Sequence, residues 1–162
     1  MAGRYFQRTG GSNYMCLPET PRWKNHTDDR LNNAAAFGVK LKLDRNYANF
    51  LSTVNNGGAQ FHDEPVPCAV CYVSQRSTSV MMSASTSCPE GWTQEYAGYV
   101  MSTSLIDHSS SYICVDQAPE VAHDGADDPR SAILTVVQVR CGTLPCSLYH
   151  DHWELACVVC TK

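Results

Sequence analysis

Apolar and polar positions alternate along much of this chain, and the period is two rather than 3.6. In "FGVKLKLD", Val39, Leu41 and Leu43 point one way while Lys40 and Lys42 point the other, the pattern of a half-buried strand. "AILTVVQVRC" is a β-branched run that predicts a second strand, and "WELACVVC" and "EYAGYVM" predict two more. "SYICV" and "NYMCL" read as matched short strands, each carrying one cysteine. No 12-residue window combines a helical period with caps. The best candidate, a short helical turn over Asp29 to Ala36, is weakened by Asn32 and Asn33. "VNNGGAQ" and "AHDGADDPR" are loops by composition. The pattern predicts an all-β chain with long loops.

The elements recur. Ala2 to Pro21 and Ala97 to Pro119 both run Ala-Gly with an aromatic close behind (Tyr5, Tyr99), a polar stretch, Tyr-x-Cys and then a proline. "VPCAVCYV" (Val66 to Val73) matches "LACVVCTK" at the end of the chain, and both Cys-x-x-C motifs sit in strand-like runs. Two pseudo-equivalent units are expected, over 1–74 and 88–162, joined by a connecting segment at 75–87. That segment, "QRSTSVMMSASTS", is expected to continue as a strand, with Val80 and Met82 on one face. Only the second unit opens with "CPEGWTQEY", so six cysteines fall in the second unit and three in the first.

Composition narrows the class. The chain has 162 residues, a formal charge of −4 and only 17% charged residues, so it carries no basic footprint for nucleic acid. No apolar run is long enough to span a membrane. The opening "MAGRYFQRTGG" has no apolar core, so no signal peptide is expected in it. Nine cysteines favour an oxidising setting. A shared zinc site is disfavoured, because the Cys-x-x-C pairs stand far beyond the roughly 12–20 residues that separate zinc-ribbon ligand pairs. A thioredoxin-like role needs the motif at a helix start, and neither pair has one. On a strand, residues i and i+3 face opposite ways, so Cys157 and Cys160 require different partners. A nested arrangement fits, but six cysteines permit fifteen connectivities, and the residues alone leave the choice open.

Other chemistry is thin. Asp124, Asp127 and Asp128 offer oxygens for a cation but lack EF-hand spacing. His150 and His152 share a face if "HDH" is extended, yet a metal needs a third ligand from elsewhere. No nucleophile elbow, phosphate-binding glycine loop or paired carboxylates stand out. Neither a catalytic role nor a cofactor is expected. Trp23, Trp92 and Trp153, with eight tyrosines, are suited to stacking on sugars or anchoring an interface. The alternative is that Trp92, Tyr96 and Tyr99 fill the core, and for Trp92 the core is expected. Asn25-His26-Thr27 is a candidate glycosylation sequon.

"CPEGWTQEYAGYVM" resembles the opening of the repeated unit in the C-terminal non-collagenous domain of type IV collagen. More closely, "GGSNYMCLPETPRW", "HDEPVPCAVC", "YICVDQAPE" and "CGTLPC…ELACVVCTK" resemble the C-terminal domain of spongin-like short-chain collagens, over nearly the whole chain. The resemblance implies the nested pairs Cys88–Cys160 and Cys114–Cys157, a small loop closed by Cys141–Cys146, and Cys16–Cys68 in the first unit. Cys71 is left as a free or intermolecular thiol. It implies a secreted, extracellular, non-enzymatic assembly module of a collagen-like matrix or skeletal protein. The partners expected are further copies or matrix proteins, with glycan or mineral as other candidates and a lectin-like module as the alternative. No Gly-X-Y repeat is present, so this chain forms no collagen triple helix itself.

Overall fold

The computed structural model describes residues 1–3, 5, 11–28, 34–43, 47, 50–51, 61–120, 122 and 129–162. It is essentially all-β, with no α-helix among the described residues. Seven strands form: β1 (Ala2–Gly3), β2 (Phe37–Leu41), β3 (Ser79–Ser83), β4 (Thr93–Ser102), β5 (Ile113–Asp116), β6 (Ala132–Val136) and β7 (Ala156–Thr161). They make one curled sheet in the order β1-β2-β6-β4-β7-β3, with β5 paired to β4 off that path.

The alternation in "FGVKLKLD" has its expected result. Val39, Leu41 and Leu43 are buried, and they join Leu134, Val136, Met101 and Val115 in the main core cluster. β2 and β6 lie parallel, with Val39 opposite Ala132 and Leu41 opposite Leu134. Stretches 1–74 and 88–162 therefore share one sheet. The centre is β4, paired with β7 over most of its length and with β5 and β6 near its end. A bulge falls between Gln94 and Tyr96 and adds local twist to β4.

Glycine at the two Ala-Gly positions has a steric cause. A Cβ on Gly98 would overlap the Val115 carbonyl oxygen and approach the Gln117 nitrogen to 2.8 Å. The backbone of β5 and its exit thus lies directly against β4, sealed by the Gln117 N–H donating to the Ala97 carbonyl at 3.1 Å. A Cβ on Gly3 would meet the Tyr14 ring at 3.0 Å and the Ala132 methyl at 3.1 Å. The "CPEGW" stretch is a turn: Trp92 N–H donates to the Pro89 carbonyl, and Gly91 has φ +77°, the left-handed geometry that favours glycine.

Three expectations are corrected. Segment 66–73 is not a strand; only its first residue touches the sheet, with the Val66 N–H donating to the Val39 carbonyl of β2, whereas β7 lies between β3 and β4. "NYMCL" contributes only an isolated bridge, Met15 to Ala2. Trp92 is half-buried rather than in the core, with the Lys162 ammonium 5.9 Å from its ring centre. Tyr96 and Tyr99 are also half-buried, and each packs on the edge of a core cluster. The connecting segment does continue as a strand, β3. The helical turn expected at Asp29 to Ala36 falls largely outside the described residues, as do "VNNGGAQ" and most of "AHDGADDPR".

Candidate functional site

Four disulfides fix the scaffold on which any site is carried. Cys88–Cys160 ties the opening turn to β7, and Cys114–Cys157 ties β5 to β7. Cys141–Cys146 closes the small loop over Gly142 to Pro145, and Cys16–Cys68 joins the two arms of the first stretch. Their Cα separations run from 5.1 to 5.9 Å, within the usual range. Cys157 and Cys160 lie on opposite faces of β7 and take different partners, as strand geometry requires. The structure thus brings together the four pairs that the resemblance implies. Cys71 is a free, exposed thiol.

Beside that thiol runs an open groove of about 660 Å³. One wall is segment 66–71, the other is β5 with its exit through Glu120, and Met1 with Tyr14–Cys16 completes the lining. Its surface is largely apolar, with Asp116 and Glu120 as its carboxylates. The groove holds its shape through polar anchors. The Met1 amino group donates to the Val66 carbonyl at 2.8 Å, and burial lowers the pKa of that amine. The Tyr14 hydroxyl reaches the Ile133 carbonyl at 3.1 Å. The Tyr96 hydroxyl donates to the Cys114 carbonyl at 3.1 Å. Burial raises the Tyr96 pKa, and the Asp116 carboxylate and a Cys71 thiolate raise it further.

The rim is exposed and apolar. Val70 and Tyr72, on either side of Cys71, are 88% and 91% exposed. No backbone hydrogen bond of 67–73 is formed among the described residues. Pattern reasoning missed the groove, because its walls come from segments distant in sequence. It also missed the tip at Leu105 and Ile106, both at least 90% exposed. There Asp107 N–H donates to the Ser104 carbonyl, and the only sequence signal was the turn residues Ser104 and Asp107 flanking the pair.

The histidine pair is rearranged. Residues 150–153 form a turn closed by Trp153 N–H on the His150 carbonyl, and His152 has φ +67°. The segment is not extended, so His150 and His152 do not share a strand face. The His150 ring packs 4.3 Å from exposed Trp153, and the Arg140 guanidinium donates to His152 Nδ1 at 2.7 Å. Asp151 accepts from the Cys141 N–H, which anchors this turn to the small disulfide loop. Among the described residues no group of three His, Cys, Asp or Glu side chains is placed to hold a metal. Asp124, Asp127 and Asp128 lie outside the described residues, and Asn25 is exposed at a bend. No helix among the described residues is long and apolar enough to cross a membrane.

No protein-family model matches the chain, and no solved structure matches it.

Proposed function

We propose that this chain is an extracellular, non-enzymatic association module, of the kind its resemblance to the C-terminal domain of spongin-like short-chain collagens implies. The observation that carries the reading is the open apolar groove with its exposed Val70–Cys71–Tyr72 rim, mounted on a scaffold held by four disulfides. Exposed aromatic and aliphatic side chains on a rigid frame give association energy with little ordering cost. Four disulfides persist in an oxidising compartment, which supports placement outside the cell. The partner is another copy of the chain or a matrix protein. Cys71 is accessible for a covalent link once two chains are docked.

Sedimentation of the oxidised protein over a concentration series tests this. The wild type forms a concentration-dependent oligomer, and Val70→Ser with Tyr72→Ser weakens it at least tenfold. A strict monomer at every concentration, with no binding to matrix protein, contradicts the reading.

A second reading rests on Trp153, which is 63% exposed and packs against the tilted His150 ring beside Asp151. An open indole next to polar groups suits the face of a sugar ring. Glycan-array binding that is lost in Trp153→Ala would favour this lectin-like role; no binding to any glycan removes it.

A further inference from the structure

We propose that Asn25 carries an N-linked glycan whose first sugar ring sits on the indole of Trp23. The proposal rests on the extracellular reading above, because the modification belongs to the secretory route. The sequence offers Trp23-Lys24-Asn25-His26-Thr27, an acceptor triplet with an aromatic residue two positions before the asparagine. The structure supplies what the triplet alone lacks. Residues 15–28 are exposed without interruption, and Asn25 stands at a bend. Pro18 and Pro21 keep the approach out of helical geometry. No backbone–backbone hydrogen bond of 16–26 is formed among the described residues, and the Lys24 carbonyl meets only the His26 ring at 3.3 Å, so a transferase can draw this stretch into its site without breaking a ladder. The Cys16–Cys68 disulfide holds the base of the loop to the body of the protein.

Trp23 is the second observation. It is 79% exposed, and no ring contact is formed to it among the described residues. Trp23 lies two positions before Asn25, and its bare indole leaves an apolar face open. The first sugar of an N-glycan presents a face of C–H bonds, and that face packs on an aromatic ring.

In the modification, Asn25 Nδ2 forms a bond to the anomeric carbon of the sugar and loses a proton. The bond from that carbon to the phosphate oxygen of a lipid-linked oligosaccharide diphosphate breaks, and the lipid diphosphate leaves. No oxidant or reductant enters.

The test uses the full chain, secreted from eukaryotic cells, with intact mass measured before and after peptide N-glycosidase. The expected result is a glycan-sized loss of mass on digestion. It should be abolished by Asn25→Gln and by Thr27→Ala, and kept in Thr27→Ser. Digestion should lower the thermal midpoint of the wild type, and Trp23→Ala should keep the glycan while abolishing that midpoint difference. A secreted protein with four disulfides and an unmodified Asn25 overturns the site and leaves the extracellular reading standing. Retention inside the cell with reduced cysteines overturns both. A midpoint difference that survives Trp23→Ala overturns the seat on the indole.

Discussion

Gly98 shows how one missing side chain lets two strands lie together. Strand β5 can lie against β4 only because position 98 has no Cβ to meet the Val115 carbonyl. Gly98→Ala is expected to destabilise the protein by about 3 kcal/mol or more, since the clash is with backbone that cannot rotate away. Urea unfolding checks this, and a loss below about 1 kcal/mol would show that β5 has room to shift. Tyr96 gives a pH signature. Its pKa is raised above 10.0, so the stability tied to its neutral form is complete below pH 10 and is lost as pH rises through the folded value. Spectrophotometric titration should find a tyrosine that ionises above pH 10, absent in Tyr96→Phe. The sequence marked both residues, through the repeated Ala-Gly pair and the "EYAGYV" run, but not their roles. Close backbone approach is a tertiary fact, and neither composition nor period encodes it. Trp92 misled for a related reason: a large apolar residue after a turn suggests core, yet Lys162 offers its indole a partner at the edge of the fold.

At the scale of elements, period-two patterning located β2, β4, β6 and β7 because each has a buried face whose apolar residues alternate or run together. It failed for 66–73, whose "PCAVCYV" is close in sequence to the "ACVVCT" of β7. The difference lies in neighbours. β7 is flanked by β3 and β4, whereas 66–73 leaves β2 after the Val66 bond to Val39 and pairs with no strand beyond it among the described residues. Strand formation depends on a partner, and pairing is non-local. The parallel register of β2 on β6 was illegible for the same reason. The disulfides rank by loop size. In the chain-entropy model a link across 43 or 72 positions is worth about 4 kcal/mol, and one across five positions about 2 kcal/mol. Replacing Cys114 and Cys157 together should therefore lower the denaturation midpoint more than replacing Cys141 and Cys146 together. Equal shifts in chemical denaturation would place the effect of these links in the native state rather than in the unfolded chain.

For the whole molecule, the resemblance and the cysteine spacing carried the reading of function, while the structure supplied the surface. The groove draws on Met1, Tyr14, Val66 and Val115, which no local window unites. Its lining and rim are mainly apolar, and the formal charge of −4 is modest. Association is therefore expected to hold or strengthen as salt is raised, because screening removes weak like-charge repulsion and leaves apolar burial intact. Sedimentation at two ionic strengths checks this; an oligomer that dissociates in high salt would indicate a charge-driven interface instead. The most direct test of the covalent scaffold is calorimetric melting of the native protein beside a fully reduced and alkylated sample. The account predicts one cooperative transition in the first and none in the second, whereas an unchanged transition after reduction would contradict it.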